Sequence, residues 1–175
     1  MNLAVLAERI GGLTWVSEQL FGLEGRWAEG LDDPAAVAHL ATFSRHHGWH
    51  AGLWRQALPD SPALDAEELI GPPSPGWRRA VEAAASFDEG SDVQRLAALY
   101  RSLLPEALAL IDDFTMGLGG PGDAHLLRVA RLVQPDVALD AQRGYRWLSA
   151  TMGDDADIES ALSVTMTLDR AFRTC

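Results

Sequence analysis

The chain contains no lysine: all 14 of its basic residues are arginine. The bias reads as coding preference in a GC-rich genome, and its chemical consequence is plain. Schiff-base chemistry and a lysine general base are excluded. Cysteine is nearly as scarce, since the single one, Cys175, is the last residue. An internal disulfide framework and a cysteine-rich zinc or iron–sulfur site are excluded with it. Positive charge is short overall, the net charge being −11. An acidic surface does not attract polyanions, so neither nucleic acid nor an anionic membrane is an expected partner. No segment approaches the 18 or more apolar residues of a membrane span. The opening stretch MNLAVLAERIGGLTW lacks a basic region and meets Glu8 and Arg9 before any useful apolar run, so it is not read as a signal peptide. The expected location is the cytoplasm.

Alternating β-branched runs are also few, and no Asn-Gly or Asp-Gly dipeptide occurs. What the 175 residues have instead is Ala and Leu at helical spacing, with 47% hydrophobic residues. The expectation is one all-α domain, 1–175, large enough for a core without metals or disulfides. In a first helix Leu3, Leu6, Ile10, Leu13, Leu20 and Phe21 share a face that ends near Glu24-Gly25. A second begins at the cap Asp33-Pro34 and runs to about Leu58, with Leu40, Phe43, Ala51, Trp54 and Leu58 inward. The segment 59–91 holds most of the prolines and cannot be one helix, although a short helix from Trp77 to Phe87 fits. A third long helix starts at the Ser91/Asp92 cap, and its apolar side is Leu96, Leu103, Ala107, Leu110 and Phe114. After the glycine-rich break GLGGPGD, a fourth runs from Asp123 to about Ala150, with Pro135 inside it as an expected kink. A C-terminal helix occupies about 157–173.

The two short joins predict antiparallel hairpins. The join of about thirty residues between the second and third helices is long enough to cross a bundle, because a 20-residue helix spans ~30 Å. Hairpin, long crossover, hairpin is the connectivity of ferritin-like four-helix bundles, here over residues 3–150 with crossover 59–91.

Several polar residues fall on faces otherwise apolar. Phase at 100° per residue puts Glu24 near the first stripe and Glu18 on its flank. On the second helix it sends Ser44 and His47 inward, His50 to the edge and His46 outward. Tyr100 is central and Glu106 marginal on the third helix. Asp140 is central and Arg143 at the flank on the fourth. Buried polar groups without partners cost roughly 1–3 kcal/mol each, so these residues should meet or line a cavity.

The connectivity, with WVSEQLFGLEGRW and RHHGWHAGLW, resembles the ferritin-like superfamily, in particular small actinobacterial members of unassigned role. The resemblance covers the four bundle helices, about Leu3 to Ala150. In di-iron members, two helices each give one Glu and two others each give Glu-x-x-His. Set on that pattern, the second helix reads Ser44-x-x-His47, which lacks a bridging carboxylate. The fourth reads Asp140-x-x-Arg143, whose guanidinium cannot ligate a metal. The resemblance therefore implies a degenerate metal site rather than a working di-iron oxidase.

Three readings of the histidines follow. In one, a reduced site holds a single iron or zinc through His46/His50 or His47/His50 and a carboxylate from Glu18, Glu24 or Glu106, the basis for a mononuclear oxygenase or hydroxylase. In another, no cofactor is present, and Glu24, Ser44, His47, Tyr100, Asp140 and Arg143 form a polar core that binds a small ligand, with Arg143 paired to Asp140 or Glu24. In the third, the histidines are satisfied core residues, and Trp49 and Trp54 pack under other helices or form a dimer face. Binding of a small ligand or a protein partner is the expected function, and no reaction can be read. With six tryptophans, a homodimer through helix faces is the expected assembly. Other motifs fail: HHGWH lacks the Glu of H-E-x-x-H, GLGGPG has no Lys-Ser/Thr sequel, and no G-x-S-x-G elbow exists.

Overall fold

The computed structural model describes residues 2–31, 33–61 and 64–173, and Cys175 lies outside them. Among the described residues the chain is all-helical and no strand is present. α1 (Leu3–Ala28) is capped by Asn2, whose side chain accepts from the Val5 N–H at 2.9 Å. It passes through Gly25 and ends a turn later than the sequence suggests. Asp33 caps α2 (Pro34–Gln56) as expected, accepting from the Ala35 N–H, with Pro34 in the first turn where its missing donor costs nothing.

α1 and α2 form a hairpin joined by five residues. Gly25 lies against Ser44, Phe21 against Gly48 and Glu18 against Arg55, so contacts climb one helix as they descend the other. The crossover then carries two short helices, α3 (Ala66–Leu69) and α4 (Pro75–Ala85), the latter capped by Ser74. α3 reaches α1 at Gly11, where an added Cβ would collide with the Leu69 carbonyl. Glycine is needed there because two backbones touch.

The third long helix is not uniform. α5 (Asp92–Ala97) opens with a capping box between Ser91 and Gln94. A π-helical turn (Ala98–Leu103) follows, in which Leu104 N–H bonds back to Leu99 C=O, and α6 (Leu104–Met116) continues. Pro105 supplies the reason. It has no N–H for the Arg101 carbonyl and its ring crowds that carbonyl, so the ladder cannot run straight through. One extra residue in the preceding turn absorbs the misfit. α7 (Ala124–Thr151) runs unbroken through the exposed Pro135. α8 (Asp155–Arg173) packs Ala161, Val164 and Leu168 inward, in contact with α4, α5 and the π turn.

Directions follow from pairs. Across α2 and α7, His39 meets Trp147, His46 meets Asp140 and His50 meets Asp136, an antiparallel register. Between α7 and the third long helix, Gln134 donates to Asp112 of α6 while Gly144 lies on Tyr100 of the π turn, again antiparallel. The core between them is built from Ile10, Leu23, Leu40, Phe43, Leu99, Leu103, Phe114 and Leu126, with Trp27 and Trp54 as its largest members. Two residues expected inward, Leu3 and Phe21, are exposed instead. Leu3 is in the first turn, beyond the reach of α2, and Phe21 lies over Gly48, covering the outside of the hairpin.

Arg95 holds the turns together. Its buried guanidinium donates to the carbonyls of Gly30 (2.8 Å), Asp88 (2.6 Å) and Phe87 (3.3 Å). Beside it, the Trp27 indole N–H donates to Asp88 at 2.6 Å. Arg95→Lys replaces a three-way fork by one ammonium and strands carbonyls of two turns. A loss of about 2 kcal/mol is expected in urea denaturation, against a change under ~0.5 kcal/mol for a control at exposed Arg78.

Candidate functional site

The polar residues meet where α1, α2, the π turn and α7 face one another. Three histidines of α2 each turn to a carboxylate on another helix. His46 and His50 are one turn apart, as are Asp140 and Asp136, and the antiparallel register sets them as two rungs. His46 Nδ1 lies 2.8 Å from Asp140 Oδ2, and His50 Nε2 lies 3.4 Å from Asp136 Oδ2. His47 points the other way, to α1, with Nε2 3.6 Å from Glu24 Oε1, just beyond hydrogen-bond reach. Tyr100 completes the group from the π turn. Its ring lies against Gly144 so closely that a Cβ there would fall within it.

Glu24, His47, His50, Tyr100 and Asp140 are all buried. Several of their polar atoms have no hydrogen-bond partner: both Glu24 oxygens, His47 Nε2, His50 Nδ1, the Tyr100 hydroxyl and Asp140 Oδ1. Burial shapes their acidities first and neighbours second. Desolvation, then the Asp140 charge, pushes the Glu24 carboxyl well above the usual range. Asp140 is raised by burial, against a lowering pull from His46. His47 is pushed down to about 3 by burial, then by His50 and His46. Burial lowers His50 against the raising influence of Asp136. Tyr100 is raised by burial and then by the two carboxyls. The favoured state is a protonated Glu24 beside a neutral His47 imidazole.

The structure brings Glu24, His47, Tyr100 and Asp140 together and leaves others out. Ser44 is buried but turns away, donating from Oγ to the Phe21 carbonyl at 2.9 Å. Arg143, expected to pair with Asp140 or Glu24, is exposed, and the partner of Asp140 is His46. Its charge still acts on His39 and Asp140 from outside. Glu106 is exposed. Glu18 is held at the surface by Arg55 at 2.9 Å, so neither reaches the histidines. His50, expected at the edge, is fully buried because α7 covers that side of α2. His46, expected outward, is 35% exposed yet bonded to a buried carboxylate.

Two members escape the phase reading. Asp136 is one helical turn from Asp140, a spacing that mirrors His46 and His50 and was the available signal. His39 lies seven residues before His46, between the Phe43 and Trp147 rings, and its pKa is pushed down to about 4 by burial and then by Arg143. Among the described residues, no three His, Cys, Asp or Glu side chains are grouped to hold a metal ion. No family model, curated protein or solved structure matches the chain.

The pH dependence of stability follows in sign. The folded values of His47 and His39, about 3 and about 4, lie below their ordinary 6.5, so unfolding takes up protons as pH falls. Stability is therefore expected to decline from about pH 6.5 downward. For Glu24 the native state holds the extra proton, so stability declines as pH rises from 4.5 toward its raised value. Denaturation of His47→Asn below pH 6.5 should show a slope shallower than the parent's by about one proton, roughly 1.4 kcal/mol per pH unit.

Proposed function

We propose that this chain is a ferritin-like four-helix bundle in which a small polar guest takes the place of the two irons. The alternation of helix directions supports the bundle reading. α1 opposes α2 and α7 opposes both α2 and α6, with the long α3–α4 crossover between the second and third bundle helices. α8 is the addition. The di-iron set does not fit the residues present. Ser44 in the glutamate position bonds to a main-chain carbonyl, Arg143 stands outside, and the Tyr100 ring lies inside, at the same face as Glu24 and Asp140.

One observation carries the binding reading: Glu24, His47, Tyr100 and Asp140 are buried together and each keeps an unpartnered polar atom. Their roles are complementary. The Tyr100 hydroxyl and the protonated Glu24 donate, while His47 Nε2 and Asp140 Oδ1 accept. A compact molecule with a carbonyl and an N–H or O–H, such as a small amide or acid, matches that set. Each bond made offsets a desolvation cost of about 1–3 kcal/mol.

A second reading rests on the Glu24 carboxyl, raised by burial and then by the Asp140 charge, lying beside a neutral imidazole nitrogen. A single zinc or ferrous ion between His47 and Glu24, 3.6 Å apart, would take two ligands from the chain and the rest from water. Such a site is the route to a mononuclear enzyme.

The probes are acetamide and Zn²⁺, read by the His47 ring ¹⁵N and ¹H shifts in protein purified without a histidine tag. Saturable shifts with acetamide, lost in Glu24→Gln and Tyr100→Phe, are the expected result. Iron below one per chain by elemental mass spectrometry is expected with it. Saturation by Zn²⁺ alone would replace the guest reading by the cation reading. Unmoved His47 signals with both probes would end both and leave the cluster a structural core.

A further inference from the structure

Away from the buried histidines, a cavity of about 240 Å³ lies between the first half of α1, the second half of α6 and the crossover. Its floor is apolar, made by Leu110 and the buried Leu13 and Phe114. Pro73 closes one side. Its ring is seated on Gly12, where an added Cβ would come within 2.8 Å of it, so this wall depends on the glycine. The charged lining residues are Glu8, Arg9 and Asp113, and both carboxylates are exposed. Arg9 is already engaged. It bonds Asp113, its guanidinium carbon lies 5.6 Å from the centre of the Phe114 ring, and Gly117 leaves room for one of its nitrogens. Glu8 differs, since among the described residues it enters no ion pair. The rim therefore keeps one uncompensated negative charge above an apolar floor.

We propose that this cavity binds a small organic monocation, a primary ammonium carried on an apolar body of about benzene size. Size supports the body. An apolar cavity of ~150 Å³ suffices for benzene, so about 240 Å³ admits a ring and a short arm. Charge supports the head. Glu8 receives the ammonium, with Asp113 on the same rim, while the Arg9–Asp113 bond stays in place. A carboxylate head would meet two carboxylates and an arginine already paired. The net charge of −11 adds a long-range attraction for cations. The ring of the guest against Leu13, Leu110 and Pro73 takes apolar surface of both out of water. Leu13 precedes Glu24 by eleven residues of α1, ~16 Å along the axis. This cavity is thus separate from the polar core and does not depend on what that core holds.

Backbone amide ¹H and ¹⁵N shifts of the full chain test it, in titrations with phenethylamine, 2-phenylethanol and 3-phenylpropionate. The three probes share a ring and a two-carbon arm and differ in the charge of the head. Phenethylamine should shift the Leu13, Leu110 and Phe114 signals saturably, at one molecule per chain. The alcohol should bind about fivefold more weakly, the worth of a partly exposed ion pair, and the carboxylate should not saturate. Glu8→Gln should weaken phenethylamine about fivefold and leave the alcohol unchanged. Its melting temperature should match the parent's, because Glu8 is exposed and outside any ion pair. The His47 ring signals should stay in place throughout, which separates this site from the core. Phenethylamine that fails to saturate overturns the proposal. So does an alcohol or carboxylate that binds as tightly as the amine, an affinity indifferent to Glu8→Gln, or a response centred on His47.

Discussion

Two carboxyls, Glu24 and Asp140, lie at the centre of a core otherwise made of leucine, alanine and aromatic rings, and much of the architecture answers to them. Neither can be buried without a neighbour that bonds it or a proton that neutralises it. Asp140 has His46, reached only if α2 and α7 stand in one particular register. The same register gives His50 its Asp136, and a slip of one turn would leave one histidine and one carboxylate without a partner. Glu24 has His47 near it and takes the neutral form. Specificity of alignment, more than stability, is what such buried polar contacts contribute in a helical core.

The turns obey a related constraint. The chain has only arginine for its basic residues, and at Arg95 the planar fork spans two connections at once. An ammonium would reach one carbonyl well and leave others desolvated. Holding the α1–α2 turn to the α4–α5 turn fixes the top of the first hairpin against the start of the third long helix. That fixes the height at which Tyr100 meets Glu24.

Much of this was legible in the sequence because it depends on local chemistry. Asp33-Pro34 and Ser91 mark helix starts through caps, and the short and long joins predicted which helices would be neighbours. Helical phase correctly put Glu24, His47, Tyr100 and Asp140 inside. Phase fails where a side chain's fate depends on a second helix. His50 is buried because α7 covers it, and Asp136 matters because it stands opposite His50. Arg143 is left outside because His46 already serves Asp140. Glu106 shows a different limit, since counting at a constant 100° per residue from Ser91 runs through a π turn that adds a residue. Every position after Leu103 is rotated relative to that count. Pro105 was the visible warning, a proline in the middle of a strong helical pattern.

That π turn also places α5 and α6 on one axis with different phases. The apolar seam that α5 offers to α8 and the seam that α6 offers to α1 and α7 are therefore not one continuous stripe. The turn holds one residue more than a regular helix would place there. Loss of any single residue between 98 and 103 would remove the extra residue and rotate one half against the other by about a quarter turn, with Pro105 left to kink the regular helix. Indels here would thus act as a switch of facing rather than of length, exchanging which side chain the third long helix offers to the buried carboxyls.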